Sequence, residues 1–600
     1  MDGWLFGLTI ESILCLLFSI VLYFYFVRKD THISVTIGSI TVWFLTFVLI
    51  VFIPYDIYFY NLCNENNLIC NTTMIINKTD NESVINNTQE IDVDYIKNGI
   101  NILNILYAIN YWLIFILSWL IIPIIKSYDS SGYFITSEKL KFAIKENIVF
   151  FIILIVVSII GYIAICIIFE YINPFFLKNI SIGLTLSWGL IQVFFFLGYS
   201  LVKLPKNLLS HYNYLNEKSF IEWEIQDLRE YMKEIIVTEL AKISLELKKT
   251  LNEFDKNDED FPLKKYREYF NNVIDKFNEY KPKYLDICES GFNDDEIQYA
   301  KDINELALLH QNVKLKIIDY QRGIYLMKKK YKKWLLILSI LSLKKNEFKD
   351  EIALNTEIEK GIKYVELSKT EQIYYIYIKP IYKISFAVIS ILLEIITLYG
   401  EISSSISEDS FSIMGALITL TNNIVLVHFI TLLQIIFLFY LCFYTIFKMK
   451  VSFLCQMYGN RQTDSNSVLF VCNMMARIGF PICINFCQIT GLTDLIINQN
   501  YGTGTMKSNS EGLEQAEHLY KELIQFFPLI LILLSLLNLF NIFSKIGSCM
   551  GFSSFQIKNE DTESNITEGK NIFDRIYQKY GLEISNIDKN YLDKIIFNIN

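Results

Sequence analysis

The stretch Trp4–Val27 reads WLFGLTIESILCLLFSIVLYFYFV, with Glu11 its one charged residue. A helix needs about 20 mostly apolar residues to cross the hydrocarbon core of a bilayer, and this run is long enough. Asp2 is the one charge ahead of it. A cleaved secretory signal has a basic start and a shorter apolar centre. The stretch therefore reads as a retained membrane helix with its N-terminus outside.

Eight further runs meet the same test: Ile33–Ile53, Ile100–Ile125, Ile148–Phe169, Ile180–Val202, Ile381–Leu398, Ile424–Phe447, Ser467–Ile489 and Leu523–Phe543. The expected fold class is all-α, a polytopic membrane protein with about nine crossings. Five fall in residues 1–202 and four in 379–547, with a tail from 548 to 600. Phe411–Leu420 is apolar but too short to cross, and reads as a re-entrant or interfacial piece. The whole chain is 52% hydrophobic and 20% charged, with a formal net charge of −9. That balance excludes a nucleic-acid binder, whose phosphate contacts need surplus Lys and Arg. The partner it implies is the lipid bilayer.

Charge bias orients the helices. Arg28, Lys29, Lys126, Lys139, Lys141, Lys145, Lys203, Lys206, Lys379, Lys448, Lys450 and Arg461 fall in alternate loops, which the positive-inside rule makes cytoplasmic. The opposite loop at 55–99 holds four N-x-[ST] sequons, at Asn71, Asn77, Asn81 and Asn86. Clustered sequons in an outside loop predict glycosylation there. Cys63 and Cys70 are the only cysteines in outside loops. They form either a disulfide, which an oxidising compartment permits, or two free thiols.

Between 203 and 378 the composition turns to Glu, Lys, Asp and Leu. Ile225, Leu228, Met232, Ile236, Leu240, Ile243 and Leu247 recur at three- and four-residue steps along Glu217–Leu251, the seam of a coiled coil or helical bundle. Asp255–Pro262 breaks it, and further helices are expected over Leu263–Glu279 and Asp294–Leu343. This cytoplasmic insert is the expected surface for protein partners. Lys328, Lys329, Lys330, Lys332 and Lys333 precede the apolar run Trp334–Leu343. They read either as an amphipathic foot on the anionic inner leaflet or as a basic face beside a buried helix.

Charges inside membrane segments are costly and usually have partners. Arg477, Glu394 and Glu11 qualify, and the spacing allows Arg477 to pair with one of the two carboxylates. Pro481 frees the backbone carbonyl of Arg477 four residues earlier, which would build a small polar pocket beside Asn485. Structural packing and a transport site are both consistent with that arrangement. No histidine pair has metal-ligand spacing, and the chain has no G-x-S-x-G, H-E-x-x-H or Walker A motif. The sequence predicts no enzyme, metal or cofactor, and no motif specifies a small-molecule ligand.

Five stretches carry a resemblance. They are Phe52-Ile-Pro54-Tyr-Asp56; Ser127-Tyr128-Asp-Ser-Ser131-Gly132-Tyr-Phe134; Tyr382-Lys383-Ile384; Arg461-Gln462-Thr463-Asp464-Ser465; and Arg477-Ile-Gly-Phe-Pro481-Ile-Cys-Ile-Asn485-Phe486. Together they resemble the limb-region (LMBR) family of multi-pass membrane proteins over about Met1 to Gly551. Glu394 has no counterpart in the family pattern. The resemblance implies nine helices, an outside N-terminus and a cytoplasmic coiled-coil insert. Functionally it implies a receptor-like or signalling scaffold, since its nearest subgroup is linked to G-protein-coupled receptor signalling. Other members resemble a lysosomal cobalamin exporter and an endocytic lipocalin receptor, so a small-molecule transporter or transport accessory is the alternative. The chain shows no retrieval signal at its end, and plasma membrane and endosomal or lysosomal membranes are all compatible with it.

Overall fold

The computed structural model describes residues 3–65, 68–71, 74–77, 93–169, 174–210, 213–256, 263–282, 297–347, 367–406, 412–420, 424–448, 456–491 and 512–540, with single residues 285, 289 and 571. In chain order the elements begin with α1 (Gly3–Phe26), α2 (Ile33–Glu65), strands β1 (Leu68–Asn71) and β2 (Met74–Asn77), and α3 (Val93–Ile116). A π turn at Leu117–Ile121 leads into α4 (Ile122–Ser130), then α5 (Thr136–Phe169) and α6 (Pro174–Ser210). Next come α7 (Tyr214–Glu234), a π turn at Ile235–Leu240, α8 (Ala241–Asp255), α9 (Arg267–Tyr280) and α10 (Ile303–Glu347). The chain continues with α11 (Lys369–Ile373), α12 (Lys379–Ile406), α13 (Ile413–Leu420), α14 (Ile424–Lys448), α15 (Ser465–Ile489) and α16 (Gly512–Leu539). The helical class is as expected. The antiparallel hairpin β1–β2, with Leu68 opposite Asn77, is an addition the sequence reading did not contain.

Among the described residues eight helices are long and apolar enough to cross a membrane. The expected ninth, Leu523–Phe543, falls on α16, whose described apolar part is the shorter Phe526–Leu539. The described residues form two compact units. The first takes in Met1–Asp129, Lys145–Pro205 and Val388–Ile557; the second takes in Ser130–Ile144 and Lys206–Ala387.

In the first unit α2 packs against α1, α3, α14 and α15. Helix α15 is buried over 78% of its most apolar window and α1 over 11%, so α15 is central and α1 peripheral. The peripheral surface is apolar: Phe6, Ile13, Leu17, Val21 and Phe24 of α1 are exposed, as are Ile153, Val157 and Ile160 of α5. Water would penalise such a surface heavily, and hydrocarbon does not. The exposed faces are lipid-facing.

The second unit follows the opposite rule, with apolar side chains inside. All seven seam residues from Ile225 to Leu247 are buried. The π turn at Ile235–Leu240 inserts one extra residue and keeps the seam on one side. Helix α10 pairs with it in antiparallel fashion. Glu222 meets Trp334, whose Nε1 donates at 2.9 Å, and farther along α7 Met232 meets Gly323. Beyond that point, Glu239 meets Lys316. A side chain at 323 would collide with Met232, so glycine is required there.

The lysine run is resolved by this pairing. Lys330 contacts Glu224, and Lys333 contacts Glu217 at 2.7 Å. Trp334, Ile337, Leu338, Ile340 and Leu341 are buried. The run is a basic face beside a buried helix, and not a membrane foot. Buried Glu217 also faces Lys379 and Lys383, each at 3.8 Å. Burial alone would raise its carboxyl, but Lys333 and then the other lysines hold it below the usual carboxylate range.

The Ser131–Phe134 stretch docks on α10. Gly132 lies so close to the Ala307 carbonyl that no side chain fits. His310 Nδ1 bonds the Gly132 carbonyl at 2.7 Å, and its ring stacks on Phe134 at 4.9 Å. Burial, with nearby Lys314, Lys139 and Lys276, outweighs that bond and holds His310 below the usual imidazole value.

Two outcomes follow for the full-length protein. Glu217→Gln leaves three lysines around a neutral group. It should lower stability by about 2 kcal/mol, less than a fully buried pair because Lys333 is 39% exposed; thermal unfolding in detergent measures it. His310 binds its proton less readily when folded than when unfolded. Its contribution is therefore present above the ordinary imidazole value and is lost as pH falls below it. The protection of α10 amides, corrected for the intrinsic exchange rate at each pH, should fall between about pH 7 and about pH 5, and His310→Phe should remove that dependence.

Candidate functional site

Helix α12 is apolar outside and polar inside. Val388, Leu392, Ile395, Tyr399 and Ile402 are exposed, whereas Ser390, Glu394, Thr397 and Glu401 are buried. The buried four recur at three- and four-residue steps, so they line one face of the helix. Thr397 Oγ1 accepts from Gln434 Nε2 of α14 at 2.8 Å, and Glu401 Oε1 accepts from Asn485 Nδ2 of α15 at 2.8 Å. Ser390 Oγ, Glu394 Oε1, Thr431 Oγ1, Gln434 Oε1 and Asn485 Oδ1 are buried with no hydrogen-bond partner among the described residues. The face is rich in acceptor oxygens, which suits an occupant bringing positive charge or N–H and O–H donors.

The expected pairing of Arg477 with a carboxylate is not formed among the described residues. Glu11 Oε1 instead meets His428 Nε2 of α14 at 2.9 Å and hydrogen-bonds Tyr55 of α2. The start of α1, the end of α2 and the start of α14 share one end of the unit, which brings these three together. Glu394 lies within the α12 face. The pocket beside Asn485 is replaced by its bond to Glu401. Hydropathy alone ends this crossing at Leu398 and leaves Glu401 outside it, whereas the helix runs on to Ile406. The seven-residue spacing of Glu401 from Glu394 was the available signal. His428 went unmarked because its partner is 417 residues away.

Arg477 occupies a different place. Its guanidinium lies over the Trp119 ring at 4.3 Å, a cation–π contact. Trp119 and Ser118 belong to the π turn of Leu117–Ile121, whose extra residue re-aims them. Pro481 leaves the Arg477 carbonyl without its helical donor. Gly189 of α6 approaches that carbonyl so closely that no side chain fits. Tyr111, Phe115, Thr185, Leu186 and Phe480 complete a small void of about 30 Å³ beside the guanidinium, room for about one water.

The Arg461–Ser465 motif is a clasp. Asn460 and Arg461 adopt left-handed backbone, φ 59° and 61°. This turn lays Thr463 beside Val27 as a parallel bridge, with Thr463 N donating to Phe26 O at 3.0 Å and Arg28 N donating to Thr463 O at 3.1 Å. Thr463 Oγ1 also donates to Tyr458 O at 2.7 Å. Asp464 is the N-cap of α15, accepting from Ser467 N at 3.1 Å. Gln462 Nε2 reaches Asn460 O at 3.5 Å. Asp56 is buried in α2 just beyond Pro54. These family residues serve the architecture.

The outer-loop residues are less informative. Asn81 and Asn86 lie outside the described residues. Asn71 and Cys70 fall in β1, Asn77 ends β2 and Cys63 lies in α2, with their side chains outside the description.

Asp464→Ala should cost about 1 kcal/mol, the usual value of an N-cap, with Asp464→Asn near wild type. Glu401→Leu should cost more than Glu401→Gln, since the Asn485 amide would then be orphaned in a dry interior. Thermal unfolding of the four variants in one detergent orders them.

A family model described as LMBR1-like membrane protein matches residues 5–543. The chain is 23% identical over 583 residues to "G-protein coupled receptor-associated protein LMBRD2" of Gallus gallus, covering 91% of this chain and 80% of that one. It is 23% identical over 586 residues to the Homo sapiens protein of that name, covering 91% and 79%. It is also 23% identical over 585 residues to "LMBR1 domain-containing protein 2 homolog A" of Dictyostelium discoideum, covering 92% and 74%. No solved structure matches. With nearly its whole length matched, and with helices whose lipid-facing sides are apolar, this chain belongs to the LMBR1-like family of multi-pass membrane proteins.

Proposed function

We propose that this chain is a receptor-associated membrane protein, a non-enzymatic signalling scaffold that modulates G-protein-coupled receptors. The match across nine-tenths of the chain to relatives named for that association carries the reading. In it, the second unit faces the cytoplasm and binds partner proteins. The lysines and arginines of alternate loops support that orientation. A biotin ligase fused at the C-terminus should label seven-helix receptors or their effectors above an unrelated multi-pass control. No enrichment above that control would sink the reading.

The same orientation puts residues 55–99 outside, with Asn71, Asn77, Asn81 and Asn86 as glycan acceptors. Digestion by an N-glycanase should increase gel mobility, and replacing all four with Gln should abolish that change. An undigestible band in wild type would overturn the orientation or the modification. The buried polar face of α12 favours a second reading, transport of a small solute. Solute uptake into proteoliposomes that falls in Glu394→Gln would support it.

A further inference from the structure

The Glu217 side chain is 2% exposed, yet it is shared by three lysines from two other helices. Lys333 of α10 reaches its Oε1 at 2.7 Å, while Lys379 and Lys383 at the start of α12 each lie 3.8 Å from its Oε2. One turn back on α7, the Tyr214 ring has Lys379 over it at 5.2 Å and Lys344 of α10 at the same distance. All of these residues belong to the second unit. Among the described residues Lys333 and Lys379 face no other carboxylate, and Lys344 faces none. Four ammoniums therefore crowd a single negative charge. Part of each ion-paired lysine still faces outward: Lys333 is 39% exposed, Lys379 20% and Lys383 17%. The cluster is open, and its positive charge is in surplus.

Its depth says which anion reaches it. A π turn at Tyr374–Ile378 runs α11 into α12, and the joined helix Lys369–Ser403 is 35 residues long. At about 1.5 Å per residue it is about 50 Å long, well beyond a hydrocarbon core about 30 Å thick. The exposed apolar stripe of Val388, Leu392 and Ile395 belongs in that core. The turns at the Lys369 end therefore emerge into the headgroup layer. Tyr374, Tyr377 and Tyr382 are exposed on those turns, the aromatic belt of an interface. Lys379 and Lys383 thus lie at headgroup depth, on the side that charge bias makes cytoplasmic. No occupant has to cross hydrocarbon to meet them.

We propose that the lysines gathered at Glu217 bind the headgroup of a phospholipid with a terminal phosphomonoester, drawn from the cytoplasmic leaflet. The Nζ atoms of Lys379 and Lys383, each 3.8 Å from one oxygen, lie within twice that distance of each other. One phosphate bridges that span with two charge-assisted hydrogen bonds of about 2.8 Å. A phosphomonoester carries about −1.5 to −2 charge at pH 7, which meets the surplus; a phosphodiester headgroup carries less. Glu217 neutralises one ammonium and gathers the rest. The site is independent of receptor association.

The test titrates the full-length protein, in a neutral detergent, with phosphatidylinositol 4-phosphate and counts bound lipid by native mass spectrometry. The protein should hold this lipid about tenfold more tightly than phosphatidylinositol, which lacks the phosphomonoester, the size of one charge-assisted hydrogen bond. Lys379→Gln combined with Lys383→Gln should weaken binding by about fivefold for each lysine removed. Lys379→Arg combined with Lys383→Arg keeps the charge and should keep the preference. Water-soluble inositol 1,4-bisphosphate should compete far less well than the lipid. Where the Gln pair fails to fold, the wild-type comparison of the two lipids decides by itself. Equal retention of phosphatidylinositol, binding unchanged in the Gln pair, or an equal loss in the Arg pair would overturn the proposal. Competition by the soluble headgroup as strong as by the lipid would overturn the lipid assignment.

Discussion

A polar group inside hydrocarbon has no water to turn to, and the first unit is organised by that single constraint. Its polar side chains are gathered on the inner faces of helices whose outer faces are plain hydrocarbon. Helix α12 shows the rule most clearly, with Leu392 and Ile395 outside and Glu394, Thr397 and Glu401 within. The bonds that join α12 to its neighbours are polar: Thr397 to Gln434 and Glu401 to Asn485. Among membrane helices such bonds give position more than strength, because lipid already satisfies apolar surfaces. In the second unit the sorting reverses, and the Ile225–Leu247 seam is apolar because the surrounding solvent is water.

The membrane helices were legible in the sequence because length and apolarity are one-dimensional properties. So was the second unit's buried seam, since three- and four-residue spacing is local. The pairing of charges was not. Arg477, Glu394 and Glu11 were each recognisable as intramembrane charges, but depth along a helix says nothing about which face a side chain occupies. Glu11 found His428 and Tyr55, Glu394 joined the α12 face, and Arg477 turned to Trp119. The π turn that delivers Trp119 has no signature in composition. Glu401 was missed because the sixth apolar run was ended at Leu398, where hydropathy falls but the helix does not.

The family motifs divide by role. Ser131–Phe134 docks on α10 through Gly132, and Arg461–Ser465 clasps the end of α1 to the start of α15. Both combine a close backbone approach or left-handed backbone with side-chain contacts, Phe134 on His310 in the first and the Asp464 cap of α15 in the second. Arg477 differs: the Pro481 break and the Gly189 approach bring α6 and α15 together around a side chain that no described carboxylate neutralises. In that stretch the motif spends its special residues on a small void, and not on a joint.

The Glu11–His428 contact has a consequence for how the chain is made. The two residues are 417 positions apart. At about 5–20 residues per second, a ribosome takes roughly 20 to 80 s to supply the second after the first. For most of that interval the α1 carboxylate has Tyr55 as a neighbour but not yet the imidazole of His428. Helix α1 is thus among the last of the described helices to be completed. A nascent chain halted before α14 would present Glu11 with Tyr55 beside it and no imidazole, a feature by which quality control could tell an unfinished molecule from a finished one.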